Sequence, residues 1–327
     1  MREPDFWSSK TDLRSLLLAP LGWVYGRATA LRLARGSREW LDIPVVCVGN
    51  LNAGGTGKTP TVIALLQRLR DLGHIPHVVS RGYGGSLAGP VCVEPACHRA
   101  DEVGDEPLLI SAFGEVWVAK DRAAGGRAAA KAGASVVILD DGFQNPSLHQ
   151  DLKLVVVDAA RGFGNGRCIP AGPLREPVET GLARADAVIS IGPDSAQGKA
   201  DLKIPPNIPR FNAELVPLQT GMDWTGQPYF AFAGIAHPDK FFATLRDLGA
   251  DLVKTAALDD HEPLTPALLK RLERDASQSG AQLVTTEKDA ARLPTAWRGK
   301  VLTLPVRLEF SDETGLNDVL KRLPSPS

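Results

Sequence analysis

The sequence predicts an α/β protein with four parts: a doubly wound parallel α/β/α domain, a smaller α/β/α domain, a two-stranded β linker joining them, and an amphipathic N-terminal helix. Three observations predict it. Residues 43–190 alternate short Val/Ile/Leu runs with helical patterns, as strands buried on both faces of a parallel sheet do. A Pro-rich passage (Pro205, Pro206, Pro209, Pro217) then breaks the rhythm, and a shorter α/β alternation follows. The 327 residues exceed one ordinary core and fall short of three.

The N-terminal element, residues 1–40, is unusual in charge. Leu13 to Arg38 holds five arginines (Arg14, Arg27, Arg32, Arg35, Arg38) and no acid. The uncharged stretch Ser15–Gly26 has 12 residues, short of the roughly 20 a bilayer requires. Pro20 and Gly22 interrupt it, and no small-residue cleavage site follows, so neither a transmembrane span nor a secretory signal is expected. Leu16, Leu17, Leu21, Trp23 and Val24 can share an apolar side while the arginines reach lipid phosphates. From composition, an interfacial anchor and a helix packed on the protein's own core fit equally.

Strands follow at Ile43–Val48, His77–Ser80, Val116–Ala119, Val136–Leu139, Leu154–Val157 and Ala187–Ile191, within a first domain spanning 41–208. The smaller domain, 218–301, has strands near Tyr229–Ala233, Asp251–Thr255 and Gln282–Thr286 and helices near Pro238–Leu248 and Thr265–Ser277. Residues 209–217 and 302–310 read as extended and are expected to pair as the linker. That pairing returns the last segment, 311–327, to the first domain as a helix and tail.

The charge balance, 37 Lys plus Arg against 38 Asp plus Glu, excludes a globally basic nucleic-acid-binding coat. Cys47, Cys92, Cys97 and Cys168 form no CxxC pair, which points to a reducing compartment. Cys92, Cys97 and His98 lack a fourth metal ligand nearby and read as ordinary side chains.

The strongest motif is IPVVCVGNLNAGGTGKTP, a strand, a Gly-rich turn, then Lys58-Thr59 opening a helix. The loop Asn52, Ala53, Gly54, Gly55, Thr56, Gly57 can turn backbone N–H groups onto phosphate oxygens. Lys58 then reaches the β and γ phosphates, and Thr59 can ligate Mg²⁺. Asn52 stands where the phosphate-loop pattern has Gly, and a left-handed Asn is expected to preserve the turn. Asp140-Asp141, ending a second strand, are the carboxylates expected near the metal. Thr286-Glu287-Lys288-Asp289 has the wrong register for a guanine reader, so ATP is the expected nucleotide.

With SRGYGG (80–85), GDEP (104–107), ILDDGFQ (138–144), RGFGNGR (161–167), PAGPLREP (170–177) and TTEKDAARL (285–293), the chain resembles the tetraacyldisaccharide 4'-kinase family of lipid A biosynthesis over roughly residues 20–293. The resemblance implies an ATP- and Mg²⁺-dependent kinase acting on the 4'-hydroxyl of a tetraacylated disaccharide 1-phosphate, at the cytoplasmic face of the inner membrane. The sequence gives no sign of a nucleic-acid partner or an obligate protein partner. The resemblance makes Asp105 the catalytic carboxylate and His261 its partner from the second domain. Arg122 and Arg175 fall to the phosphates, Arg81 to the lipid head group and Glu106 to the metal shell. Asn145 stands where the family usually has histidine, a role the shorter amide or His149 would have to take over. A lipid with four acyl chains stays in the bilayer, so the resemblance favours the interfacial anchor. The rival classes are a nucleotide-driven switch GTPase and a membrane scaffold that binds ATP without turnover.

Overall fold

The computed structural model describes residues 4–198, 202–260 and 262–324. Its strands are β1 (Val45–Gly49), β2 (Pro76–Ser80), β3 (Val91–Cys92), β4 (Val116–Val118), β5 (Val136–Asp140), β6 (Leu152–Asp158), β7 (Ala187–Ile191), β8 (Arg210–Pro217), β9 (Pro228–Ala233), β10 (Asp251–Ala257), β11 (Gln282–Thr286), β12 (Val301–Leu304) and β13 (Val306–Phe310). They form a nine-stranded sheet, β13-β8-β7-β6-β1-β5-β2-β4-β3, and a four-stranded sheet, β10-β9-β11-β12. All neighbours run parallel except at the two edges of the large sheet, where β13 and β3 are antiparallel.

The period of two along each strand explains why the strands read as continuous apolar runs. In β1, Val46 and Val48 enter one core with Leu65, Leu69 and Ile138, while Val45 and Cys47 enter the opposite core with Val137, Leu139 and Val155. The small sheet is covered on both faces in the same way, through Phe230 and Phe232 on one side and Tyr229 and Ala231 on the other. Each fully buried Val, Leu, Ile or Phe among them contributes about 1.5–3 kcal/mol.

Two details depart from expectation. Residues 302–310 do not form one linker strand. Pro305 has no N–H to extend a ladder, so the chain splits there. Leu302–Leu304 pair with β11 in the small sheet, and Val306–Phe310 pair with β8. Because β8 also pairs with β7, this antiparallel pair extends the large sheet and does not stand apart from it. The edge strand β3, only two residues long, was not expected. The helix Glu313–Leu320 does return, placing Leu316, Val319 and Leu320 in the core with Val46 and Leu65.

The N-terminal helix, Leu13–Arg35, reverses ordinary amphipathic packing. Its buried face is small: Ser15, Gly22, Gly26 and Thr29. A Cβ on Gly22 would lie 2.6 Å from the Cys168 carbonyl, so only glycine allows this approach. The large residues face outward, with Leu17 80%, Trp23 64% and Val24 56% exposed. No helix among the described residues is long and apolar enough to cross a membrane.

Candidate active site

The C-terminal ends of β1, β5 and β6 lie side by side and project their following residues into one crevice, where open α/β sheets bind ligands. After β1 the Gly-rich loop runs into the helix Lys58–Asp71, whose first residue follows Gly57 at φ +93°. A side chain at Gly57 would strike Ile191 as well as strain the backbone. No side chain caps this helix, so its first N–H groups stay available to an anion. Asn50 braces the loop from inside, its amide donating to Thr56 Oγ1 at 3.0 Å.

Asn52 is not left-handed, which corrects the expectation for the substituted glycine. The residue is instead pinned in a short ladder. It bridges to Leu174, its amide donates to the Gly162 carbonyl at 3.0 Å, and the flanking bonds Ala53 N to Pro173 O and Arg175 N to Leu51 O are each 2.7 Å. The loop entry is held by PAGPLREP from outside, so no glycine is required there.

The two aspartates after β5 divide their tasks. Asp141 sits at φ +52°, a backbone conformation rare outside glycine. Its carboxylate meets Arg175 at 2.8 Å and Lys58 at 3.7 Å. Burial pushes its pKa up, but Lys58 and Arg175 outweigh that and hold it below the ordinary carboxylate range. Asp140 is fully buried, and burial, with Glu106 and Asp141 nearby, pushes it up to about 7. Its Oδ2 accepts from Ser80 Oγ at 3.1 Å, while Oδ1 has no hydrogen-bond partner. A buried carboxylate oxygen without a donor is costly unless a cation faces it.

Arg122 is buried and donates to the Asp141 carbonyl at 2.8 Å. Burial lowers its pKa, opposed by Asp141 and Asp140. Arg81 is exposed, and its charge acts on Arg122.

Across the crevice, the helix Asp105–Ile110 packs on the helix Glu287–Ala291 of the small-sheet half. Asp105 is buried, with its carboxylate 3.5 Å from Arg292. Glu106 lies 3.7 Å from Lys288, which is also 3.3 Å from Asp260. His261, the expected partner of Asp105, lies outside the described residues. A further crossing joins Lys240 to Asp158 at 2.8 Å, beside the Gly-rich loop, where a Cβ on Gly55 would touch Ala236. Burial raises the Asp158 pKa, but Lys240 and the two backbone N–H bonds lower it overall. Sequence reasoning missed Lys240, Lys288 and Arg292. For the last two the signal was present, since both belong to TTEKDAARL.

Asn145 and His149 turn away from the crevice. The Asn145 side-chain Oδ1 accepts from Ser147 N and Oγ, an ordinary Asx turn, and the His149 ring stacks on Trp40 with centroids 3.5 Å apart. Both line a separate cavity of about 290 Å³ with Leu33, Arg38 and Arg184. The neighbouring Gln144 takes the inward position, donating to the Asn50 carbonyl at 2.8 Å and to Glu176 at 2.9 Å. His98 accepts from Glu94 N at 2.9 Å, an ordinary local bond.

A family model described as tetraacyldisaccharide-1-P 4'-kinase matches residues 14–324. The chain belongs to this family. The tetraacyldisaccharide 4'-kinase of Dinoroseobacter shibae is 60% identical over 329 residues, covering 99% of this chain and 98% of that one. That of Jannaschia sp. is 58% identical, covering 99% of each. Among solved structures, LpxK from Aquifex aeolicus, described as an "apo" form in complex with ATP, superposes with a TM-score of 0.76 at 27% identity, covering 95% of this chain and 99% of the other. In this tetraacyldisaccharide 4'-kinase family member, no group of three or more His, Cys, Asp or Glu able to hold a metal occurs among the described residues.

Proposed function

We propose that this chain transfers the γ-phosphate of ATP to the 4'-hydroxyl of a tetraacyldisaccharide 1-phosphate. The observation that carries the reading is the uncapped helix N-terminus at Lys58, facing a buried Asp140 whose Oδ1 has no donor. The loop N–H groups and Lys58 bind the β and γ phosphates, with Arg122 and Arg175 neutralising charge on the transferring group. Asp140 would hold Mg²⁺ through its unpartnered oxygen, and Thr59, Asp141 and Glu106 are the further residues assigned to the metal on this reading. Bound Mg²⁺ supplies neutralisation of phosphate charge.

The hydroxyl oxygen attacks the γ-phosphorus, the bond to the β-γ bridging oxygen breaks, and ADP leaves. The hydroxyl proton passes to Asp105, which Arg292 holds at the crevice and His261 supports. The Lys288 and Asp289 side chains are engaged by Glu106, Asp260 and Arg292, which supports ATP over a guanine-reading site.

On this reading domain 41–208 carries the large sheet, extended by β8 and β13, and domain 218–301 carries the small sheet, whose last strand runs on to Leu304. The outward apolar face of the N-terminal helix, with its arginines, seats the enzyme peripherally on the cytoplasmic side of the inner membrane, and Arg81 lies toward the lipid head group. Incubating the purified enzyme with γ-labelled ATP and lipid disaccharide tests the reaction. Labelled glycolipid is expected, and label found only in free phosphate would leave a hydrolase or switch.

A further inference from the structure

We infer that docking of the N-terminal helix fixes the shape of the Gly-rich loop, through Asn165 and Ser15 as positioning residues. The inference rests on reading that loop as the nucleotide site.

The segment between β6 and residue 177 has no strand and no helix, and Gly162, Gly164 and Gly166 are all left-handed. Such a segment takes its shape from what it touches. One edge is the ladder to the Gly-rich loop, made by Gly162, Pro173, Leu174 and Arg175. The other edge holds the N-terminal helix. Ser15 Oγ donates to the Ala171 carbonyl at 2.7 Å, and the Asn165 amide donates to both Ser15 Oγ (2.8 Å) and Ala171 O (2.9 Å). Arg167 donates to Ser15 Oγ at 2.8 Å, and Trp7 Nε1 donates to Pro170 O at 3.1 Å. Gly22 and Gly26 press directly on Cys168.

Ala171, held by the helix, is two residues from Pro173, which accepts from Ala53 N in the loop. Ser15 and Asn165 are buried, so undocking breaks the bonds they share and opens the segment around them to water and rearrangement. Rearrangement at 165–171 removes the backing from residues 51–53. Membrane seating and nucleotide grip therefore share one support.

The test uses the full chain in detergent, with MgATP affinity measured by calorimetry and amide exchange followed in peptides covering 50–57. Asn165→Ala and, independently, Gly22→Leu are expected to weaken MgATP about threefold to tenfold, the scale of one lost buried hydrogen bond. They should also speed exchange in the loop while partitioning to vesicles persists. Leu17→Ser, on the outward face, is expected to lose vesicle binding with MgATP affinity and exchange unchanged. Asn165→Ala and Gly22→Leu proteins that keep the wild-type melting temperature, MgATP affinity and loop exchange would overturn the inference. Absence of MgATP binding in the wild type would instead overturn the nucleotide-site reading.

Discussion

The Arg292 guanidinium lies 3.5 Å from the Asp105 carboxylate and 2.5 Å from that of Asp289, so one cation from the small-sheet half anchors the acid proposed as catalytic base. Asp289 is itself fully buried and accepts from Gly234 N and Thr286 Oγ1, which leaves Arg292 little freedom. Placement of the base thus depends on how the two halves meet.

Arg292→Ala is accordingly expected to lower kcat by about tenfold or more with KM for ATP nearly unchanged, because it displaces the base and not the nucleotide. A steady-state titration of both substrates checks this. An effect confined to ATP KM would remove the positioning role.

Asp105→Ala and His261→Ala are each expected to lower kcat, and the double variant to lose much less than the product of the single losses, since both act on one proton. A double-mutant cycle at saturating Mg²⁺, with melting temperatures recorded, decides between this dyad and independent roles. Full multiplicativity refutes the dyad.

Lys58→Ala is expected to reduce phosphoryl transfer by about a thousandfold while the fold persists, because the side chain contributes charge at the γ-phosphate and little packing. Near-normal turnover would remove the phosphate-loop assignment.

Asp140 makes stability depend on pH. Folded Asp140 keeps its proton up to about 7 against an ordinary 3.8, so the folded state is favoured below 3.8 and loses that advantage as pH rises to 7. In metal-free protein at pH 8, Asp140→Asn should therefore melt roughly 5 °C or more above wild type, with the gap shrinking at pH 5. Equal melting curves at pH 8 would mean the carboxylate is not strained there.

Much of the architecture was legible because buried parallel strands advertise themselves. Ala187–Ile191 and Gln282–Thr286 were bounded to the residue by their apolar runs. A two-residue edge strand such as Val91–Cys92 buries too little to leave a pattern, and the split at Pro305 depends on which sheet offers a free edge. In the site, the positions of Lys58 at the start of a helix and Asp140 at the end of β5 were legible from the local pattern. The Lys240–Asp158 and Arg292–Asp105 contacts span 82 and 187 positions and exist only after folding. Asn52 shows the converse, a local rule about turn geometry overridden by the ladder to Leu174.

The pairing of β8 with β13 carries a consequence for synthesis. The large sheet is left open at β8 until the final strand of the chain has been made, after the whole small sheet has emerged. Leu316 and Leu320 then seal a core most of whose other members, from Val46 to Ala213, were translated far earlier. A nascent chain must shelter that edge from the completion of β8 at Pro217 until β13 is made at Val306–Phe310, a stage at which unpaired strands are prone to aggregate. Premature termination between residues 218 and 301 thus uncovers the first core as well as truncating the second.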